Sequence, residues 1–479
     1  MIFHCKKCSL KSKFIFQKKK TLFLRFLNSE GLIVFFHQVL EEDVGDVNIK
    51  DMLINLISRD KPDKVQLEAA LALTKALRAA QDKNTTRPLQ RKILAVFVQM
   101  CHKGKAYKIR VSAADGLAYL IEEDSELQTE ASISNHLIKN VAQYFSVTED
   151  MVDKECLEKL RESAFNVFAA LSANDEKIRK LIVDTSPDLI SNIHEAINQE
   201  TNISLQAASL HCLLSLSRSV QQLRTTFQDV KLWEPVISAL KSSVSDDIIS
   251  VASSVFCNLL LHFSPCKEAL VNCGALEVLV ALMKRNEPPL RVNGVWGLMN
   301  LAYDADEALK NKIVEAVGIQ NILALLNDKN VDVSIKAAGI LRNLTERQSD
   351  IDNLMKAYGS QILTFVKHFI LDDSLSDKLK EQILCLTSNI ASGSYSGDVL
   401  MQDEQIISKI IFYIGSNDEK LQMASVFCIN NLIRISPDMG TDRRDKLREL
   451  GAEKKLQNLL TTTNTSLFDR VKVTLNQFS

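Results

Sequence analysis

A carboxamide recurs at one register through the second half of this chain: Asn258, Asn300, Asn343, Asn389, Asn431 and Asn476. A side-chain amide donates through its NH2 and accepts through its oxygen. A row of them can therefore pair with the N–H and C=O groups of an extended peptide. The stretch RVNGVWGLMNLAYD (291–304) adds Trp296 four residues before Asn300 and Tyr303 three after it. An indole and a phenol supply flat apolar area with a polar edge, suited to anchoring a partner's side chain. Phe427 stands four before Asn431 in the Trp296 slot, whereas Ser254, Gly339 and Cys385 fill that slot in the other repeats. Arg342 and Arg434 flank the row and would favour acidic or carboxylate-ended ligands.

This is binding chemistry. For bond-making chemistry the sequence offers no candidate. The eight histidines are scattered, and no HExxH, GxSxG or GxxxxGK[ST] pattern occurs. Cys101 and His102 adjoin in sequence, which is not the geometry a nucleophile and its base need. Cys5 and Cys8 form one CxxC without the two further ligands of a zinc site. No catalytic residue, metal or cofactor is expected.

The elements that position the amides are helices. In 291–304, Val295, Leu298, Met299 and Ala302 form one stripe at offsets of three, four and seven, a core face. Asn293, Trp296, Asn300 and Tyr303 form a second, amphipathic stripe. The amide landmarks follow one another by 42, 43, 46, 42 and 45 residues. Upstream the same slot holds Ser215, Ala170, Tyr119 and Ala76, with one long step of 51 residues explained by an acidic insert, SVTEDMVDKE (146–155), read as a loop. Ten landmarks at this period predict about ten repeats. Within one repeat, Gly274 breaks the chain, Leu276, Leu279, Val280 and Met283 form a short helix, and NEPP ends it before the long helix with Trp296. Gly318, Gly359 and Gly451 stand at equivalent breaks. A glycine bend, a shorter helix and a longer helix ending in Asn-Leu is the three-helix armadillo pattern. HEAT repeats have two helices and lack the recurrent Gly and Asn.

The expected fold is therefore all-α, a right-handed armadillo-repeat superhelix over residues 46–479, with a peptide-binding groove over about 245–479. In such a stack the third helices line one continuous surface. The groove residues would be Asn258, Asn293, Trp296, Asn300, Tyr303, Asn343, Asn389, Phe427 and Asn431. The same residues admit a structural role. A helical Asn can bond a neighbouring repeat's backbone, a balanced alternative for Asn258 and Asn476, and Trp296 could pack between repeats. Recurrence on one helical face favours the groove.

Whole-chain properties narrow the class. The 479 residues are 46% hydrophobic and 24% charged with a net charge of -1, which argues against general nucleic-acid binding. With 15 Gly and 8 Pro, turn residues are scarce, and no apolar run reaches membrane-spanning length, so no membrane insertion is expected. The ten cysteines lie partly in apolar helical runs without a disulfide-like framework, which points to the cytoplasm and nucleus. Residues 1–45 differ, with eight Lys or Arg by Arg25 and no acid before Glu30. They read as a poorly ordered or atypical basic segment; a mitochondrial presequence would favour Arg and Ser over Lys.

Three segments carry a more specific resemblance: LAYLIEEDSELQTEASISNHLI (117–138), SLSRSVQQLRTTFQD (215–229) and RVNGVWGLMNLAYD. Together they resemble the armadillo-repeat subunit family of the CTLH ubiquitin ligase, called the GID complex in yeasts, from about residue 50 to the end. The resemblance implies a non-catalytic scaffold in ubiquitin-dependent degradation, whose N-terminal repeats dock on LisH-CTLH scaffold subunits. It also implies that the C-terminal groove holds the tail of an exchangeable substrate-receptor subunit against Trp296, Asn300, Tyr303 and Asn343. Family members are longer at the N-terminus. The alternative is an importin-α-like adaptor gripping a basic localisation peptide through paired Trp and Asn, but those adaptors repeat the pair and here it occurs once. A catenin-like junction protein would need a strongly basic groove.

Overall fold

The computed structural model describes residues 43–44, 47–78, 83–199, 201–219, 231–243, 245–434 and 437–478. The basic segment, with Cys5 and Cys8, lies outside them apart from Asp43 and Val44, as does 220–229 of the SLSRSVQQLRTTFQD stretch. Apart from a two-residue antiparallel pairing of Asp43–Val44 with Val47–Asn48, every described element is helical. The chain divides in sequence into two compact units, Met1–Pro235 and Val236–Ser479.

Among the described residues, ten long third helices recur at the predicted period. In the first unit they are Asp63–Arg78, Tyr107–Ile121, Lys154–Leu171 and Ile203–Leu216. In the second they are Asp246–Leu259, Pro288–Ala302, Val331–Leu344, Asp377–Ala391, Glu419–Arg434 and Thr465–Leu475. Local chemistry starts them. Asp153, Asn202, Asn330, Ser376 and Asn464 each accept a backbone N–H of the first turn of their helix. Pro288 and Pro289 occupy the first two positions of the Trp296 helix, where a missing N–H costs nothing. The preceding helix has already ended at Met283, so NEPP opens the third helix rather than closing the second.

Apolar stripes then set the packing. Val295, Leu298, Leu301 and Ala302 are completely buried, and each third helix packs against its predecessor and successor within its unit. Met299 departs from the expected core stripe: it is half-buried, its sulfur lying over Gly339 of the next third helix. Gly294 and Gly297 let the Trp296 helix approach Ala275–Met283 closely. A Cβ at Gly294 would press on the backbone of Leu282 and Met283, and one at Gly297 on Leu279.

Three local expectations are corrected. Gly274, Gly318 and Gly451 do adopt positive φ of 88°, 80° and 84° at helix junctions. Gly359, however, sits inside one continuous 24-residue helix, Gln348–Leu371, which fuses the first two helices of its repeat. Its neighbours are helix-compatible, and one interior glycine costs only about 1 kcal/mol relative to alanine. Lys83–Met100 is a similar fused helix, with Pro88 near its start. The acidic insert forms a non-helical segment over 143–153, and Lys154 and Glu155 already belong to the helix capped by Asp153. The Trp296 helix stops at Ala302, leaving Tyr303 as an extended C-cap with φ −70° and ψ 127°.

Candidate functional site: the third-helix face of the second unit

The amide row is tied to the repeats themselves. Asn300 Nδ2 donates to the Cys257 carbonyl at 3.0 Å, and Asn343 Nδ2 to Met299 at 2.8 Å. Asn389 Nδ2 donates to Arg342 at 3.0 Å, and Asn431 Nδ2 to Ser388 at 2.8 Å. Each acceptor lies in the last turn of the preceding third helix, where i+4 donors run out, and the Arg342 carbonyl also accepts from Thr345. The amide of one repeat thus caps the helix of the repeat before it. In the first unit Ser215 Oγ makes the same bond to Ala169 at 3.0 Å. Asn300 and Asn343 are 7% and 5% exposed, and Asn258 is equally buried, while Asn389 and Asn431 are half-buried. Asn293 is buried too, its amide held between Ser253 Oγ at 2.8 Å and Ser254 Oγ at 2.9 Å. Asn293, Asn300, Asn343, Asn389 and Asn431 act first as inter-repeat ties, the structural role that their sequence pattern also allowed.

The aromatic members reach solvent. Trp296 is half-buried and Tyr303 is 40% exposed, its ring 5.0 Å from that of His262. The Tyr303 carbonyl accepts from Lys267 Nζ at 2.8 Å, which fixes the end of the helix. Phe427 is half-buried in its own repeat. Trp296 and Phe427 do not meet, for the Asn343 and Asn389 helices stand between theirs.

Sequence reasoning missed the cations that cover these rings. Lys336 Nζ lies 5.5 Å from the centre of the Trp296 ring, and the Arg470 guanidinium 4.2 Å from that of Phe427. In both cases the cation comes from the following third helix, 40 and 43 residues downstream. Asn293 stands over Ser254 in the same relation, 39 residues on. The available signal was a residue six or seven before one landmark placed against a residue four before the previous one. Arg342 lies between the two ring–cation pairs, donating to Gln382 Oε1 at 2.7 Å and to Asn343 Oδ1 at 3.3 Å.

Burial pushes the thiols of Cys257 and Cys428 up, far from thiolate formation at neutral pH. Among the described residues no cluster of His, Cys, Asp and Glu could hold a metal ion, and no helix is long and apolar enough to cross a membrane.

Stacked repeats with long third helices, tied end to side by amides, define an armadillo-repeat solenoid. A crystal structure of an engineered protein matches 89% of this chain and 98% of its own with a TM-score of 0.66 at 18% identity, a likeness of fold alone. A designed armadillo repeat protein matches 51% of the chain with a TM-score of 0.44. The chain belongs to the armadillo repeat-containing protein 8 family. It is 37% identical over 487 residues to armadillo repeat-containing protein 8 of Xenopus laevis, covering 90% of this chain and 67% of that one. The Danio rerio protein of the same name is 38% identical over 445 residues, covering 91% and 66%. GID complex subunit 5 of Schizosaccharomyces pombe is 25% identical over 358 residues, 74% of this chain and 44% of its own. The chain spans about two thirds of the length of the armadillo repeat-containing 8 relatives it matches. No family model matches it.

Proposed function

We propose that the chain is a non-catalytic scaffold subunit of a GID/CTLH-type ubiquitin ligase. In this reading its second unit holds the tail of the substrate-receptor subunit along the third-helix face, and LisH-CTLH scaffold subunits dock elsewhere on the array. The family relation supports membership of the complex. The observation that supports the tail site is the pair Trp296 and Tyr303, large rings left accessible on a face whose amides are otherwise engaged with the protein itself. Rings that reach solvent beside buried, fixed neighbours are the usual anchors of a binding hot spot. The eight described cysteines are all free, which supports work in the cytoplasm and nucleus. The importin-α-like alternative fits less well, because Lys336, Arg342 and Arg470 would repel a basic localisation peptide.

Calorimetric titration of the chain with the receptor's C-terminal tail peptide tests the reading. The tail should bind, and Trp296→Ala should weaken it by about 2–4 kcal/mol, the usual size for a buried aromatic anchor. A basic localisation peptide that binds where the tail does not would overturn it.

A further inference from the structure

Most interior cations of this protein have a carboxylate within reach. Arg291 is paired with Asp328 at 2.7 Å, Lys310 with Asp350 at 2.6 Å and Lys105 with Asp63 at 2.7 Å. Three other half-buried cations on the second unit's third helices, Lys336, Arg342 and Arg470, are different. Among the described residues Lys336 and Arg470 have only an aromatic ring beside them, and Arg342 has only the neutral amides of Gln382 and Asn343. Glu381 shares this stretch, its charge and that of Arg342 both felt at Cys385, yet it forms no ion pair there. A half-buried cation without an internal counter-charge is open to a carboxylate supplied from outside, which would form a charge-assisted hydrogen bond without breaking an existing ion pair.

Spacing adds a second constraint. Packed helices lie about 8–10 Å apart, so the three steps from the Trp296 helix to the Phe427 helix span roughly 24–30 Å. An extended chain at about 3.3 Å per residue covers that distance in about eight residues. The slots between the two rings hold Gly339 and Cys385, so no aromatic side chain stands in them, and the Met299 sulfur covers the space over Gly339. The amides that would grip such a backbone have each given an N–H to the preceding repeat, and Asn300 and Asn343 are buried. Recognition then falls to the ring–cation pairs.

We propose that this face binds an extended acidic peptide segment, with carboxylates about eight residues apart. One pairs with Lys336 beside Trp296 and the other with Arg470 beside Phe427, while Arg342 faces the stretch between. The inference rests on the tail-holding reading only in using the same face; it specifies the chemistry of whatever lies there. For the receptor it means that the tail is acidic at two stations.

Fluorescence anisotropy with the whole chain and a labelled decapeptide tests it, the peptide carrying Glu at positions 2 and 10, Leu beside each, and Ser and Asn between. This peptide should bind, and its Lys-for-Glu reversal should not. Lys336→Gln and Arg470→Gln should each weaken binding about tenfold or more, the loss of one charge-assisted contact, while Lys336→Arg retains it. A half-length peptide with one Glu should bind more weakly. Thermal melts of each variant separate lost binding from lost folding, and Arg470→Gln, at the far station, gives an independent reading if Lys336→Gln unfolds. Equal binding of the reversed peptide, or folded variants with unchanged affinity, would overturn the proposal. Titrating the receptor tail in parallel keeps the two readings apart. A tail that binds regardless of Lys336 and Arg470 sinks the acidic-segment inference and leaves the ligase reading standing. A decapeptide that binds through these cations while the tail does not bind does the reverse.

Discussion

Asn343 shows how much one side chain does in this protein. Its NH2 closes an orphan carbonyl at Met299 on one side, and its oxygen steadies Arg342 on the other. Removing it leaves a buried C=O unpaired, which costs about 1–3 kcal/mol. Asn343→Ala should therefore shift the denaturation midpoint downwards without changing the slope of the transition. An unchanged midpoint would mean that water replaces the amide and that the tie is dispensable. The recurrence of the amides was legible in the sequence because it needed only a period. Their direction was not: a stripe on one helix does not reveal whether its neighbour's last turn lies within 3 Å. Lys336 and Arg470 were overlooked for a similar reason: their spacing is regular, but each matters only to a ring on another helix.

Among the elements, the glycines divide by environment rather than by position in the repeat. At Gly294 a methyl group would meet backbone that has nowhere to go, so Gly294→Ala should push the Trp296 helix off Ala275–Met283 and cost about 1–3 kcal/mol. At Gly359 the nearest atom to an added Cβ is the Met355 Cε at 3.4 Å, inside an unbroken helix. Gly359→Ala should stabilise by about 0.5–1 kcal/mol by removing backbone freedom from the unfolded chain. Paired melts check both, and the same sign for the two would contradict the fused-helix description. Repeat length and the order of helices could be read from the sequence, because periodicity and glycine spacing encode them. That Gly359 leaves its helix unbroken while Gly274 marks a junction could not, since both precede similar apolar runs.

Over the whole molecule, a net charge of -1 conceals two different surfaces. The slot that holds Trp296 and Phe427 in the second unit holds Ala72, Asp115, Asn166 and His211 in the first. Although the Asp115 side chain reaches solvent, its surroundings strip away enough water to raise its carboxyl to about 7, with the charge of Glu162 adding to the effect. Burial moves the His211 imidazole the opposite way, downwards. A carboxyl raised in the folded state favours folding while protonated, and that stability is lost as pH rises from the ordinary carboxylate value through 7. Asp115→Asn should therefore gain on the wild type in thermal stability between pH 5 and pH 8. A difference that stays flat across that range would rule out the raised carboxyl.

The amide ties run one way along the chain, each donor belonging to a later repeat and each acceptor to an earlier one. The array consequently has a polarity that the recurrence of its building blocks does not suggest. Peeling a repeat from the C-terminal side strips a donor from the helix left behind and exposes a bare carbonyl end. Peeling one from the N-terminal side leaves the helix ends of the remaining repeats tied and frees only a side-chain amide. Under tension or proteolysis the two directions of unzipping are thus inequivalent, and each intact repeat acts as a guard for the one before it.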